Sequence, residues 1–313
     1  MKKIDLTQGK VINVLTALAL PIMGSSLLQF TYNLIDMLWV GGLGSDAVAS
    51  IGSSSFFIGL GYSINSLVVI GTGIKVSHAI GRKDNKEVKQ YINSGIAINF
   101  IIAIIYALAL IILGKSFISF LSLNNEIVER NSFYYLAINA PILFFAFFNS
   151  LYTRIFSSFG NNGDSLKINA IGMIINIILD PIFIYVFKLG VLGAAVATLI
   201  SNILMFILYK IKSNGILHYD KVIGIDKEKI LEIVRLGFPM AFQRILFTIV
   251  NIILAKIIAI FGTNSIAAQK IGLQIESITY MVIGGLNGAV SSFTGQNFGA
   301  NKFKRIKQGY YTA

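Results

Sequence analysis

Asp36 and Asp180 each sit inside a long apolar stretch of a chain that carries only 14 acidic residues. A carboxylate within a bilayer is costly unless it has a partner, a proton or a water-filled cavity, so carboxylates kept there mark ion or proton pathways. Asn176 and Asp180 are four residues apart and share a helical face. Asp180 lies about eight residues before a turn at 188–190 and Thr198 about eight after it, so both are expected roughly 10–12 Å below the outer surface. Asp36, near the outer end of the first apolar block, reaches the same layer. Two carboxyls in a low-dielectric layer do not both carry charge cheaply, so such a pair takes up one proton or binds Na⁺ through carboxylate, amide and hydroxyl oxygens. The competing reading is a helix–helix hydrogen bond with no transport role.

Pro21 and Pro181 are interior prolines, and each removes a backbone hydrogen bond and opens a kink. Pro21 precedes Asp36 on one helix, so a proton on Asp36 can be coupled to bending there. Gln29, Tyr32 and Asn33 are candidates to line a cavity beside it. Glu276 is a further cavity carboxylate or a partner of Lys270 or Arg244, while Lys75, His78 and Arg154 are expected to snorkel from span ends. No enzyme is indicated. His78 and His218 are the only histidines and lie in different segments, there is no cysteine, and no phosphate-binding loop appears. No metal or cofactor is expected beyond Na⁺ as a coupling ion at Asp36, Asn176, Asp180 and Thr198.

The elements that must position these residues are apolar. The chain is 55% hydrophobic and 13% charged, too apolar for a soluble domain of 313 residues. Its apolar residues fall into blocks of roughly 20 or more, long enough for a hydrocarbon core of about 30 Å. Eight are expected, at 11–38, 50–78, 91–113, 132–156, 168–187, 191–210, 231–260 and 266–296. The fold class is therefore an all-α polytopic membrane protein. Of 26 Lys and Arg, nineteen fall on one side, in clusters at 2–10, 82–89, 154–167, 210–235 and 302–307; only Lys115, Arg130 and Lys188 fall on the other. That asymmetry predicts a multi-pass protein of the cell membrane with its N-terminus in the cytoplasm. It also assigns the net charge of +12 to orientation and the lipid surface, not to nucleic acid.

Sliding the sequence along itself by 218 residues superposes Pro21 on Pro239, Asn33 on Asn251, Gly44 on Gly262, Gly81 on Gly299, Lys86 on Lys304 and Lys89 on Lys307. An internal duplication is the expected cause. Six spans separate the copies, so the repeat is parallel, and a transport path between the halves is expected. The units are a six-helix lobe at 1–211, a cytoplasmic linker at 212–229, and the start of a second lobe at 230–313 that repeats 12–95. By the repeat, about 115 further residues and four helices would complete the second lobe.

These residues resemble the multidrug and toxic compound extrusion (MATE) family. The resemblance rests on Pro21, the run from Gln29 to Gly41 with Asp36, Leu43-Gly44, Ala47-Val48-Ala49, Asn176-x-x-x-Asp180-Pro181, the segment from Gly190 to Thr198, and Gly237-Phe238-Pro239. It implies twelve helices in two lobes and export of lipophilic or cationic organic compounds in exchange for H⁺ or Na⁺ by alternating access, by a monomer when full length. It also implies that Asp36, Asn176, Asp180 and Thr198 form the cation site, and that Pro21 and Gln29 belong to a bending first helix and its cavity. Some branches carry a glutamate where this chain has Phe247, and Asp36 aligns with Leu254. The coupling site is therefore expected in the first lobe alone, as in the DNA-damage-inducible exporter branch. The alternatives are a lipid-linked saccharide flippase of the same superfamily and a non-transporting, shortened remnant.

Overall fold

The computed structural model describes residues 5–121, 126–259 and 263–313. Among them, eight long helices run back and forth: α1 (Val11–Gly41), α2 (Ser45–Gly81), α3 (Asn85–Phe120), α4 (Glu126–Ser158), α5 (Asn162–Pro181), α6 (Val191–Lys212), α7 (Lys227–Ala259) and α8 (Thr263–Gly299). A short α9 (Phe303–Thr312) follows, and no strand occurs among the described residues. Helices satisfy their own backbone, which is what a lipid environment demands. The first seven are long and apolar enough to cross a membrane. The eighth is as long, but Gln269, Lys270, Gln274 and Glu276 make it more polar.

The turns after α2 and α8 are built alike. Lys83 and Asn301 take left-handed φ values of 60° and 57°. The next amide in each turn donates back across the helix end, Asp84 to Ala79 at 3.1 Å and Lys302 to Asn297 at 2.8 Å. This is the six-to-one closure of a helix C-terminus, and it recurs at the spacing of 218. Asp84 also caps α3, its Oδ1 accepting from the Glu87 amide at 2.9 Å.

Two apolar clusters lie among α2 to α6, and Ile233 of α7 joins the first of them. One, near the end of the bundle where the basic residues gather, includes Val68, Tyr91, Leu151, Tyr152, Phe156 and Tyr209. The other, toward the opposite end, includes Ala103, Leu110, Leu136 and Phe147. Helix α7 packs on α2, and α8 packs on α1 and α2. These crossings are close because glycine removes the side chain. A Cβ on Gly71 would strike the Ile233 carbonyl, and one on Gly237 the Leu67 carbonyl; likewise Gly81 abuts the Gln296 carbonyl and Gly299 that of His78.

Polar contacts reinforce the basic end. Glu232 of α7 receives Lys75 of α2 and the Tyr91 hydroxyl of α3 (2.6 Å), and Lys229 reaches Glu87 at 3.4 Å. Lys75 is thus an ion-pair partner and does not snorkel. Arg154 donates to Ser291 of α8 at 2.6 Å, and His78 lies with its ring 4.8 Å from that of Phe298. The expectation of snorkelling fails for all three because α7 and α8 cover the surface they face. The stretch between α6 and α7 is docked on α3: Lys89 donates to the carbonyls of Gly215, Ile216 and His218, and Asn93 to those of Asp220 and Gly224. The segment before α1 is held in turn by α8 and α9, with Leu6 fully buried, its amide on Gln296 and its carbonyl on Asn297.

Candidate functional site

A cavity of about 590 Å³ opens within the first six helices. Helix α1 brings Gln29, Tyr32, Asn33 and Asp36 to it, α5 brings Asn176, and α6 brings Thr198. Six of the eight residues expected from sequence thus share one wall. Pro21 is not among them: it sits lower in α1, which stays one continuous helix through it, and the Ser25 hydroxyl donates to its carbonyl at 3.0 Å. Asp180 also stands off the cavity surface. It is fully buried one turn beyond Asn176, and neither carboxylate oxygen has a hydrogen-bond partner among the described residues.

Asn176 Nδ2 donates to Thr198 Oγ1 at 3.3 Å, which ties α5 to α6 one turn before Asp180. Pro181 ends α5, and a π-helical turn at Ile182–Val186 carries the chain on before it reverses. Asp36 remains close enough to act on Asp180 electrostatically, and both carboxylates act on Tyr135.

Thr198 is fixed as an acceptor toward Asn176 because its own hydroxyl donates to the Ala194 carbonyl at 2.9 Å. Gln29 donates to Asn33 at 3.1 Å along the exposed side of α1. What gathers is a carboxylate pair, one buried and one half-buried, screened by an amide and a hydroxyl. Such a set can hold one proton or a small cation.

Sequence reasoning missed the rest of the lining. Tyr62, Tyr135, Asn139, Asn149, Asn169 and Asn202 also face the cavity. They are scattered polar residues in otherwise apolar spans. The signal available was the spacing of Ser165, Asn169, Asn176 and Asp180, which puts them on one face of α5. Glu276, read as a possible cavity carboxylate, is exposed, and no ion pair joins it to Arg244 among the described residues; Lys270 lies outside the described side chains.

Comparison with known proteins adds the family. Over 306 residues the chain is 30% identical to the probable multidrug resistance protein YoeA of Bacillus subtilis, covering 92% of this chain and 65% of that protein. It is 28% identical to the multidrug export protein MepA of Staphylococcus aureus, across 94% of this chain and 66% of MepA. The chain thus spans about two thirds of the length of these relatives. Among solved structures, it resembles a MOP superfamily transporter from Pyrococcus furiosus at a TM-score of 0.92 and 22% identity, with 100% of this chain and 70% of that one covered. An outward-facing multidrug resistance MATE family transporter matches at 0.91 and 22%, over 100% and 70%. The MatE family profile matches at residues 21–182 and again at 239–313, beginning both times at the prolines that the repeat pairs, and the chain belongs to the MatE family.

Proposed function

We propose that this protein is a secondary active antiporter of the cell membrane that exports lipophilic, cationic organic compounds in exchange for H⁺ or Na⁺. In this reading the basic end faces the cytoplasm and the chain is caught with that end closed. The glycine crossings of α2 with α7 and α8 form the closure, and the cavity of the six-helix lobe communicates with the outside past Gln29 and Asn33. Names of relatives at 28–30% identity support the multidrug class.

The observation that carries the proposal is Asp180: a fully buried carboxylate in a membrane-spanning helix, without a hydrogen-bond partner among the described residues, one turn from Asn176 on the wall of the cavity that Asp36 also lines. That arrangement is stable only with a proton or a cation present. Loading it changes the charge of the lobe interior, and a two-state lobe packing is biased by that difference. Asn176 and Thr198 orient the site, and Asp36 forms its solvent-facing partner.

The test is gradient-driven efflux of a cationic dye from vesicles holding the full protein. Asp180→Asn should abolish it, with insertion and thermal stability unchanged. Efflux at the unaltered rate would remove the proposal.

A further inference from the structure

The carboxylate site occupies only one end of the polar interior of the six-helix lobe. On α5, Ser165, Asn169, Asn176 and Asp180 follow one another at helical spacing, a stripe of about 22 Å. Ser201, Asn202 and Tyr209 continue from Thr198 down α6, and Asn149 and Thr153 face them from α4. Polar side chains on three facing helices in a membrane interior are retained where water or an ion accompanies them.

The unused atoms say which kind of ion. Asn149 Nδ2 donates to both the carbonyl and Oδ1 of Asn202, at 3.0 and 3.1 Å, so its amide orientation is fixed. Asn176 Nδ2 is spent on Thr198. Their Oδ1 atoms, both Asp180 oxygens and the Ser201 hydroxyl are buried and have no partner among the described residues. Buried polar atoms are ordinarily satisfied, by water if not by protein. Asn149 and Asn176 have spent their donors on protein partners, so the part of the file beside the carboxylates presents mainly oxygens and suits a small cation or proton-bearing water.

The file has a stopper. Tyr209, fully buried, joins Thr153 at 2.7 Å and Asn169 at 3.1 Å through its hydroxyl, and its ring is flanked by Tyr152 and Phe156. It lies one turn from the basic end of α6. We propose that the interior of the six-helix lobe is a hydrated cation path, running from the Asp36–Asp180 site to a Tyr209 gate, through which the coupling ion meets the basic face without entering the cleft between the halves. The path rests on the antiport reading and adds to it the route of the ion.

The chain has no cysteine, so single cysteines can report hydration without background. Asn169→Cys and Ser201→Cys would be treated in membranes with 2-aminoethyl methanethiosulfonate, a small cation that attacks only ionised, water-bathed thiols. Ile174→Cys, on the exposed outer face of α5, is the lipid-side control. The file positions should react about tenfold faster than the control or more. Adding Tyr209→Ala should expose Asn169→Cys to the impermeant trimethylammonium analogue applied at the basic face, with Tyr209→Phe staying closed.

Ser201→Cys is nearly isosteric and keeps the test open if Asn169→Cys does not fold. File cysteines no faster than the lipid-side control would overturn the path, whatever Asp180→Asn does to efflux. Conversely, normal efflux by Asp180→Asn would sink the antiport reading and leave the labelling unchanged.

Discussion

Gly81 of α2 lies so close to the carbonyl of Gln296 on α8 that no side chain fits between them. Its counterpart 218 residues on, Gly299, meets the carbonyl of His78 in the same way. This reciprocal pair brings α2 and α8 together at the basic end of the molecule, and Gly71 and Gly237 repeat the device between α2 and α7.

Gly81→Val and Gly299→Val should each force the two halves apart at that end. Overpacking of this kind costs about 1–3 kcal/mol. Because the cost falls on the closed arrangement, thiol labelling at Ser292→Cys, buried at this seam, should rise from the basic face. Equal labelling with and without valine would show that the crossing does not govern access.

Glu232 is the acidic centre of the polar contacts between the halves, and Lys75, Lys229 and Tyr91 surround it. The side chains of Lys75 and Glu232 are 20% and 29% exposed, so water screens the pair and its worth is about 0–1 kcal/mol. On the antiport reading, Glu232→Gln should therefore shift the balance of closed and open forms by no more than about fivefold, less at high salt. A double-mutant cycle with Lys75→Met measures it, and a coupling of zero would mean that the pair is ornamental.

Asp5 holds the segment before α1 in its bend, accepting from the Thr7 amide at 2.9 Å, the Thr7 hydroxyl at 2.7 Å and Gln8 at 2.9 Å. Partial burial alone would raise its pKa, but the bonds from Thr7 and Gln8, with Lys302 nearby, outweigh it and hold the carboxyl below its ordinary value. A depressed carboxylate stabilises the fold above its unfolded pKa, and that contribution disappears as pH falls through the folded value. Protection factors at residues 6–9, which are exchange rates corrected for the intrinsic effect of pH, should accordingly be high at neutral pH and fall below about pH 4. Asp5→Asn should show low protection throughout; a flat protection profile in the unaltered chain would contradict the assignment.

Thr198→Val keeps the shape of the site and removes the acceptor that Asn176 uses. The loss of one such bond is worth about 1 kcal/mol, or about fivefold in affinity. On the antiport reading, the coupling cation should bind about that much more weakly, with dye binding in the absence of a gradient unchanged. An unaltered cation midpoint would show that Asn176 is oriented by other means.

Much of this was written openly in the chain. The apolar blocks mark where the helices run, and the spacing of 218 marks Gly81 and Gly299 as equivalents before their contact is seen. The π-helical turn after Pro181 was not legible, because composition does not announce it. Nor were Asn149, Asn169 and Asn202. A lone asparagine in an apolar span reads the same whether it braces a neighbour or lines a cavity, and only the meeting of α4, α5 and α6 separates the two. Lys75 and Arg154 were misread for a related reason: snorkelling assumes lipid beside the helix, and here another helix stands there.

The closure at the basic end has a further meaning. When residue 81 touches 296 and residue 299 touches 78, the patch is complementary to itself, which is the mark of an isologous interface between identical partners. A single lobe bearing that patch is equipped to pair with another copy of itself. On the duplication reading, one polypeptide carries both partners, so a pairing that would depend on concentration between separate chains is held together by a tether, and each half can diverge while the seam between them stays symmetric.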